Sequence, residues 1–232
     1  MLAVDVSASM LSDDVEPNRI EVAKDVAREF ISSRPNDNIG LTIFAGEAFT
    51  QCPMTTDHAS LLNLLAGVRA DLSVNKLIQD GTAIGMGLAN AVGRLKNVEA
   101  KSKVVILLTD GSNNVGDISP LTAAAIAKKF GVRVYTIGLG TDGTDAQGRV
   151  VGEIDYKTLQ DIAMQTDGEF YRAQSRSELS QIYKDIDKLE KTKLDATSYG
   201  KRYEAYVPFA MLALLVFFVE VVLRIIVFKR IP

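Results

Sequence analysis

Three stretches of this sequence carry oxygen donors at spacings that suit a metal ion. Asp5-Val6-Ser7-Ala8-Ser9 sets a carboxylate before two hydroxyls at alternate positions, Asp80-Gly81-Thr82 adds a third hydroxyl, and Thr109-Asp110-Gly111 adds a second carboxylate. Together Asp5, Ser7, Ser9, Thr82 and Asp110 supply two carboxylates and three hydroxyls, with no thiol or imidazole among them. Such hard donors suit Mg²⁺, with Mn²⁺ or Ca²⁺ as alternatives, and disfavour zinc. Alone, each stretch reads as a cap or a turn, because Asp, Ser and Thr prefer those places. A D-x-S-x-S pattern arises by chance in a chain this long about one time in twenty. Their joint placement, just after two predicted strands and at the start of a predicted helix, is what favours a site.

Catalytic arrangements fare worse. A phosphoaspartate hydrolase wants a second carboxylate two positions after the first, where Ser7 stands. No G-x-x-x-x-G-K-[ST] loop is present, and Gly85-Met86-Gly87 falls inside a helical pattern, so nucleotide chemistry has no cradle. His58, the single histidine, precedes a leucine-rich helix beside Asp57 and reads as a surface helix-start residue. Cys52 is the single cysteine, with nothing nearby in sequence to lower its pKa. Asp142-Gly143-Thr144-Asp145 imitates part of a Ca²⁺ loop, but Ile154 stands where the bidentate Glu is needed, so it reads as a plain turn. Two rival readings stay open: a Mg²⁺-dependent phosphotransfer enzyme, and a structural domain whose site binds nothing.

The elements that must position these residues alternate. Strands are expected at Leu2 to Val6, Ile39 to Phe44, Lys103 to Thr109, Val132 to Gly138 and Glu169 to Arg172, with a short extra one at Glu47 to Gln51. Helices are expected at Arg19 to Ser32, Asp57 to Val68, Thr82 to Leu95, Ser119 to Phe130, Asp155 to Thr166 and Ser177 to Leu189. Ser119-Pro120 pairs an N-cap with proline at the first helical position, and Gly131 follows as a stop. Alternating β and α segments predict an α/β fold: a doubly wound, mostly parallel sheet flanked by helices, Rossmann-like in layout. In such sheets ligands sit beyond the carboxyl ends of the strands, which is where Asp5 and Asp110 fall.

At 232 residues, 47% hydrophobic and 24% charged, with a net charge of -3, the chain suits one large domain with appendages. These values exclude a disordered or collagenous chain and argue against a basic nucleic-acid binder.

The motifs carry a resemblance. The sequence is similar to von Willebrand factor A domains, whose metal-ion-dependent adhesion site has D-x-S-x-S, then a Thr, then an Asp before Gly; Asp5, Ser7, Ser9, Thr82 and Asp110 match those positions one by one. Phe44-Ala45-Gly46-Glu47-Ala48-Phe49, Thr55-Thr56-Asp57, Asp80 to Gly85, Leu107 to Gly111 and the terminal Lys229-Arg230-Ile231-Pro232 further resemble BatA-type proteins of the bacterial aerotolerance (Bat) family. The resemblance implies a binding module rather than an enzyme. Ser7, Ser9 and Thr82 would hold the cation directly or through water, and Asp5 and Asp110 partly through water. An acidic side chain of a partner protein would fill the open position. Other Bat proteins and a MoxR-type AAA+ ATPase are the partners it suggests. Two departures stand out: Ala8 occupies a position where the family usually has Gly, and the two upstream membrane helices usual in the family are not in this sequence, so a truncated start is expected.

The apolar run Val207 to Phe228, broken by Glu220 and Arg224, is 22 residues long and is expected to cross a membrane, since its rise of about 33 Å exceeds a hydrocarbon core of roughly 30 Å. The expected organisation is a domain over 1–189, a linker over 190–206, a transmembrane helix over 207–228 and a basic tail over 229–232. Lys188, Lys191, Lys193, Lys201 and Arg202 precede the run, and Arg224, Lys229 and Arg230 lie in it or beyond it. That tally favours a cytoplasmic domain, whereas the family's usual helices favour a periplasmic one at the inner membrane. The periplasmic side is expected, with the cytoplasmic side as the alternative.

Overall fold

A computed structural model describes residues 1–70, 79–141, 143–144, 150–151, 154–199 and 206–223. The chain divides into two compact units, Met1–Glu190 and Lys191–Pro232.

The first unit is built on a sheet of β1 (Leu2–Asp5), β2 (Ile39–Phe44), β3 (Ala48–Thr55), β4 (Lys103–Thr109), β5 (Val132–Leu139) and, late in the chain, β8 (Phe170–Ala173). Between β5 and β8 lies a separate two-stranded ribbon of β6 (Gly143–Thr144) and β7 (Val150–Val151). The stretch expected to be a plain turn therefore contributes a strand, while Asp142 and residues 145–149 lie outside the described residues. Strand order in the main sheet is β3-β2-β1-β4-β5-β8. All neighbours pair in parallel except β2 and β3. The sheet is thus mixed, with one antiparallel edge, and the short strand expected at Glu47 to Gln51 is eight residues long.

Burial explains the composition of the strands. Both faces of β4 are covered: Ile106 and Leu108 pack with one core, Val105 and Leu107 with the other. On the first face lie α1 (Arg19–Ser32), α2 (His58–Ala66) and α6 (Arg176–Tyr199), contributing Ile20, Val26, Leu61, Leu65, Leu179 and Ile186. On the second lie α3 (Ile84–Leu95), α4 (Pro120–Lys129) and α5 (Tyr156–Gln165), contributing Leu88, Val92, Ala123, Ala127, Leu159 and Ile162. Side-chain caps start most of these helices, as when Asn18 accepts from the Glu21 N–H, Asp57 from Ser60, Ser119 from Thr122 and Asp155 from Thr158. Gly85 allows α3 and the segment before α4 to touch: a Cβ there would lie 1.9 Å from the Ile118 carbonyl oxygen.

Two expectations about the C-terminal region are corrected. Helix α6 is 24 residues long and ends at Tyr199, so much of the expected linker is helix, while residues 200–205 lie outside the described residues. The apolar helix α7 (Tyr206–Val222) has 17 residues. Among the described residues no helix is long and apolar enough to cross a membrane. At ~1.5 Å per residue α7 rises about 26 Å, short of the roughly 30 Å that a bilayer core requires. The expected transmembrane helix is therefore not supported, and its last residues, 224–228, together with the tail 229–232, fall outside the described set.

Candidate metal centre

The order β2-β1-β4 makes β1 the strand from which the chain winds first one way and then the other. At such a switch point the loops after β1 and β4 part and leave a crevice. Asp5 ends β1, Asp110 follows β4, and Thr82 lies just ahead of α3.

The structure brings the expected residues together. Asp5 and Asp110 are fully buried, Ser7 and Thr82 nearly so, and Ser9 is half-buried beside exposed Ala8, where the site meets solvent. The Ser9 hydroxyl lies 3.0 Å from the Ser7 hydroxyl and donates to Asp110 Oδ1 at 2.7 Å. Asp5 accepts from the Ser7 N–H at 2.8 Å and from the Thr109 hydroxyl at 2.5 Å. Thr82 joins through the Asp110-Gly111 turn, because a Cβ on Gly111 would lie 3.4 Å from Thr82 Oγ1. Asn114 holds the Thr82 backbone at both ends: its side-chain oxygen accepts from the Thr82 N–H at 2.8 Å and its own N–H donates to the Thr82 carbonyl at 3.1 Å.

Ala8, where the family usually has Gly, is accommodated without strain. It opens a 3-10 turn over Ala8–Leu11, and among the described residues Asp167 is the non-glycine residue with positive φ.

Electrostatics mark this end of the sheet as short of positive charge. Burial pushes the Asp5 carboxyl up to about 7, and the Asp110 charge adds to the rise. Asp110 is raised too, again by burial, against the pull of Arg19. Two carboxylates and three hydroxyls converging in a buried, anion-rich crevice fit a small hard cation. No group of three or more His, Cys, Asp or Glu side chains able to hold a metal occurs among the described residues, so any site here must draw on hydroxyls.

Several residues that sequence reasoning missed complete the constellation. Fully buried Arg19, at the first position of α1, bonds Asp110 Oδ2 at 2.9 Å and both oxygens of Asp14 at 2.7 Å. Thr109 and Asn114 are the others. A signal for Arg19 existed: a cation at a helix N-terminus opposes the helix dipole and needs an anionic partner. The His58 ring nitrogen pairs with the Asp37 carbonyl oxygen at 2.8 Å. Cys52 is buried, and burial followed by the Asp57 charge pushes its thiol up, away from reactivity.

This geometry defines a class. The von Willebrand factor type A domain model matches residues 1–185, and the chain belongs to that family. Within it, the chain is similar to an aerotolerance-related membrane protein of Bacteroides fragilis, 29% identical with a TM-score of 0.69, over 81% of this chain and 96% of that one. It is equally similar to BatB of Bacteroides thetaiotaomicron, 31% identical with a TM-score of 0.69, over 82% and 97%. These neighbours bear out the Bat resemblance. Proximal thread matrix protein 1 of the mussel byssus, 28% identical with a TM-score of 0.64, over 82% and 44%, has been solved with a zinc-occupied MIDAS motif. That neighbour stands against the expectation, from donor chemistry, that zinc is disfavoured.

Proposed function

We propose that this chain is a divalent-cation-dependent protein-interaction module and not an enzyme. The observation that carries the reading is the pair of buried carboxylates, Asp5 and Asp110, from two strand ends and linked through the Ser7 and Ser9 hydroxyls, in a crevice with more buried anions than cations. Asp5, Ser7, Ser9, Thr82 and Asp110 would hold Mg²⁺, with Mn²⁺ or Ca²⁺ as substitutes. The cation would supply a Lewis-acidic position able to accept an acidic side chain from a partner protein. Thr109 and Asn114 fix the donors, and half-buried Ser9 beside Ala8 gives the partner access.

We further propose a place in a Bat assembly, a reading in keeping with the neighbours named for aerotolerance and BatB; other Bat proteins and a MoxR-type AAA+ ATPase are the partners proposed from the resemblance alone. The description of the Bacteroides fragilis relative as a membrane protein supports membrane association; the bacterial inner membrane, with the domain on its periplasmic side, is the placement we propose from the family resemblance. Affinity capture with the full chain tests the interaction. Partners are expected to stay bound in Mg²⁺ and to leave in chelator, and retention that ignores chelator would contradict the reading. For sidedness, cysteine introduced at exposed Lys101 should react with an impermeant maleimide in spheroplasts; reaction only after lysis would place the domain in the cytoplasm.

A further inference from the structure

Arg19 sits where a helix least favours it, with its side chain fully buried at the first position of α1. Three segments build its seat. Asp14 accepts from Nε and Nη2, both at 2.7 Å, and is itself held by the Thr141 N–H at 2.8 Å and the Thr141 hydroxyl at 3.0 Å. Asp110 Oδ2 accepts from Nη1 at 2.9 Å. Gly140, at φ +133°, lets the backbone pass against the guanidinium, since a Cβ there would lie 2.6 Å from Arg19 Cζ. The planar fork matches this arrangement in a way an ammonium cannot.

The consequence falls on Asp110, whose two oxygens are divided. One faces Arg19 and the other accepts from Ser9. We propose that Arg19 is a positioning residue and built-in counter-cation of the centre: it holds one oxygen of Asp110, keeps the site assembled without metal, and makes divalent binding weaker and more readily reversed. This rests on the reading of the crevice as a metal centre. Removing one partner of a buried ion pair strands the other charge, so an Arg19 change alone would also strand Asp14. The informative variant is therefore Arg19→Met with Asp14→Asn, compared with Asp14→Asn alone.

The full chain is titrated with Mn²⁺ and unfolded in urea in the presence of chelator. The double variant is expected to bind Mn²⁺ about tenfold more tightly than Asp14→Asn, because a unit positive charge beside a ligand carboxylate has gone. Its midpoint in chelator is expected to fall and to recover on adding Mn²⁺. Arg19→Lys, which keeps the charge and loses the fork, should keep the original affinity within about twofold. Equal or weaker affinity in the folded double variant overturns the proposal, as does an unchanged midpoint in chelator. If the double variant is unfolded in chelator, Mn²⁺ should restore the folded circular-dichroism signal, and failure to do so also overturns it. If the unsubstituted protein binds no Mn²⁺ at millimolar levels, it is the metal-centre reading that fails; the chelator midpoints then decide whether Arg19 is the counter-charge.

Discussion

Both ends of the sheet bury charge, and they do so in opposite ways. At the carboxyl ends of the strands, Asp14 and Asp110 share one buried guanidinium, that of Arg19, while buried Asp5 is bonded by the Ser7 N–H and the Thr109 hydroxyl. At the amino ends, Glu190 of α6 meets Arg133 and also accepts from the Tyr135 hydroxyl at 2.5 Å and the Ser102 hydroxyl at 2.7 Å. Burial works against the charge on Glu190, yet these donors hold its carboxyl below the ordinary value. Asp5, also with hydroxyl and N–H donors, is pushed the other way, by burial first and then by the Asp110 charge. The amino end is a closed account that ties α6 to the sheet. The carboxyl end carries more buried carboxylate than cation, the imbalance that the proposed divalent cation would offset.

Isosteric neutralisation should therefore have opposite signs at the two ends. Glu190→Gln is expected to cost about 2 kcal/mol in urea unfolding, because it weakens charged hydrogen bonds and leaves Arg133 without its carboxylate. Asp5→Asn, measured in chelator, is expected to stabilise by about 1 kcal/mol, since it relieves an under-compensated buried charge. A loss of similar size in both variants would erase the distinction.

The two ends should also respond oppositely to pH when metal is absent. Asp5 is raised from 3.8 to about 7 in the folded state, so its contribution is present below about 4 and is lost as pH rises through about 7. Glu190 lies below its ordinary 4.5, so its contribution is present above that value and is lost as pH falls. Urea midpoints measured across pH in chelator should thus lose their downward slope near neutrality in Asp5→Asn and their acid-side fall in Glu190→Gln. With Mg²⁺ present, affinity should rise over the window in which Asp5 loses its proton, because proton and cation compete for the same oxygens.

Much of this was legible in the residues. Helix α1, β2 and β4 fall where periodicity and caps place them, and Asp5, Ser7, Ser9, Thr82 and Asp110 meet in one crevice because strand ends and a helix start converge at a switch point. Arg19 was hidden because its partners Asp14 and Asp110 are set by tertiary packing; only its awkward place at a helix start hinted at them. Thr109 stood in plain view, but which way it points follows from strand register, not from type. The extension of α6 through residues expected to be linker was missed because charged residues serve equally well on an exposed helix face and in a linker. At α7 the described helix has 17 residues against the 22 of the apolar run, whose residues 224–228 lie outside the described set.

Calorimetric titration of Mg²⁺ into the full chain above pH 7, beside Asp5→Asn, tests the central claim most directly. The account predicts single-site binding at millimolar or lower concentrations in the unsubstituted protein and none in Asp5→Asn. Absence of binding in the unsubstituted protein, or binding that persists unchanged in Asp5→Asn, would contradict it.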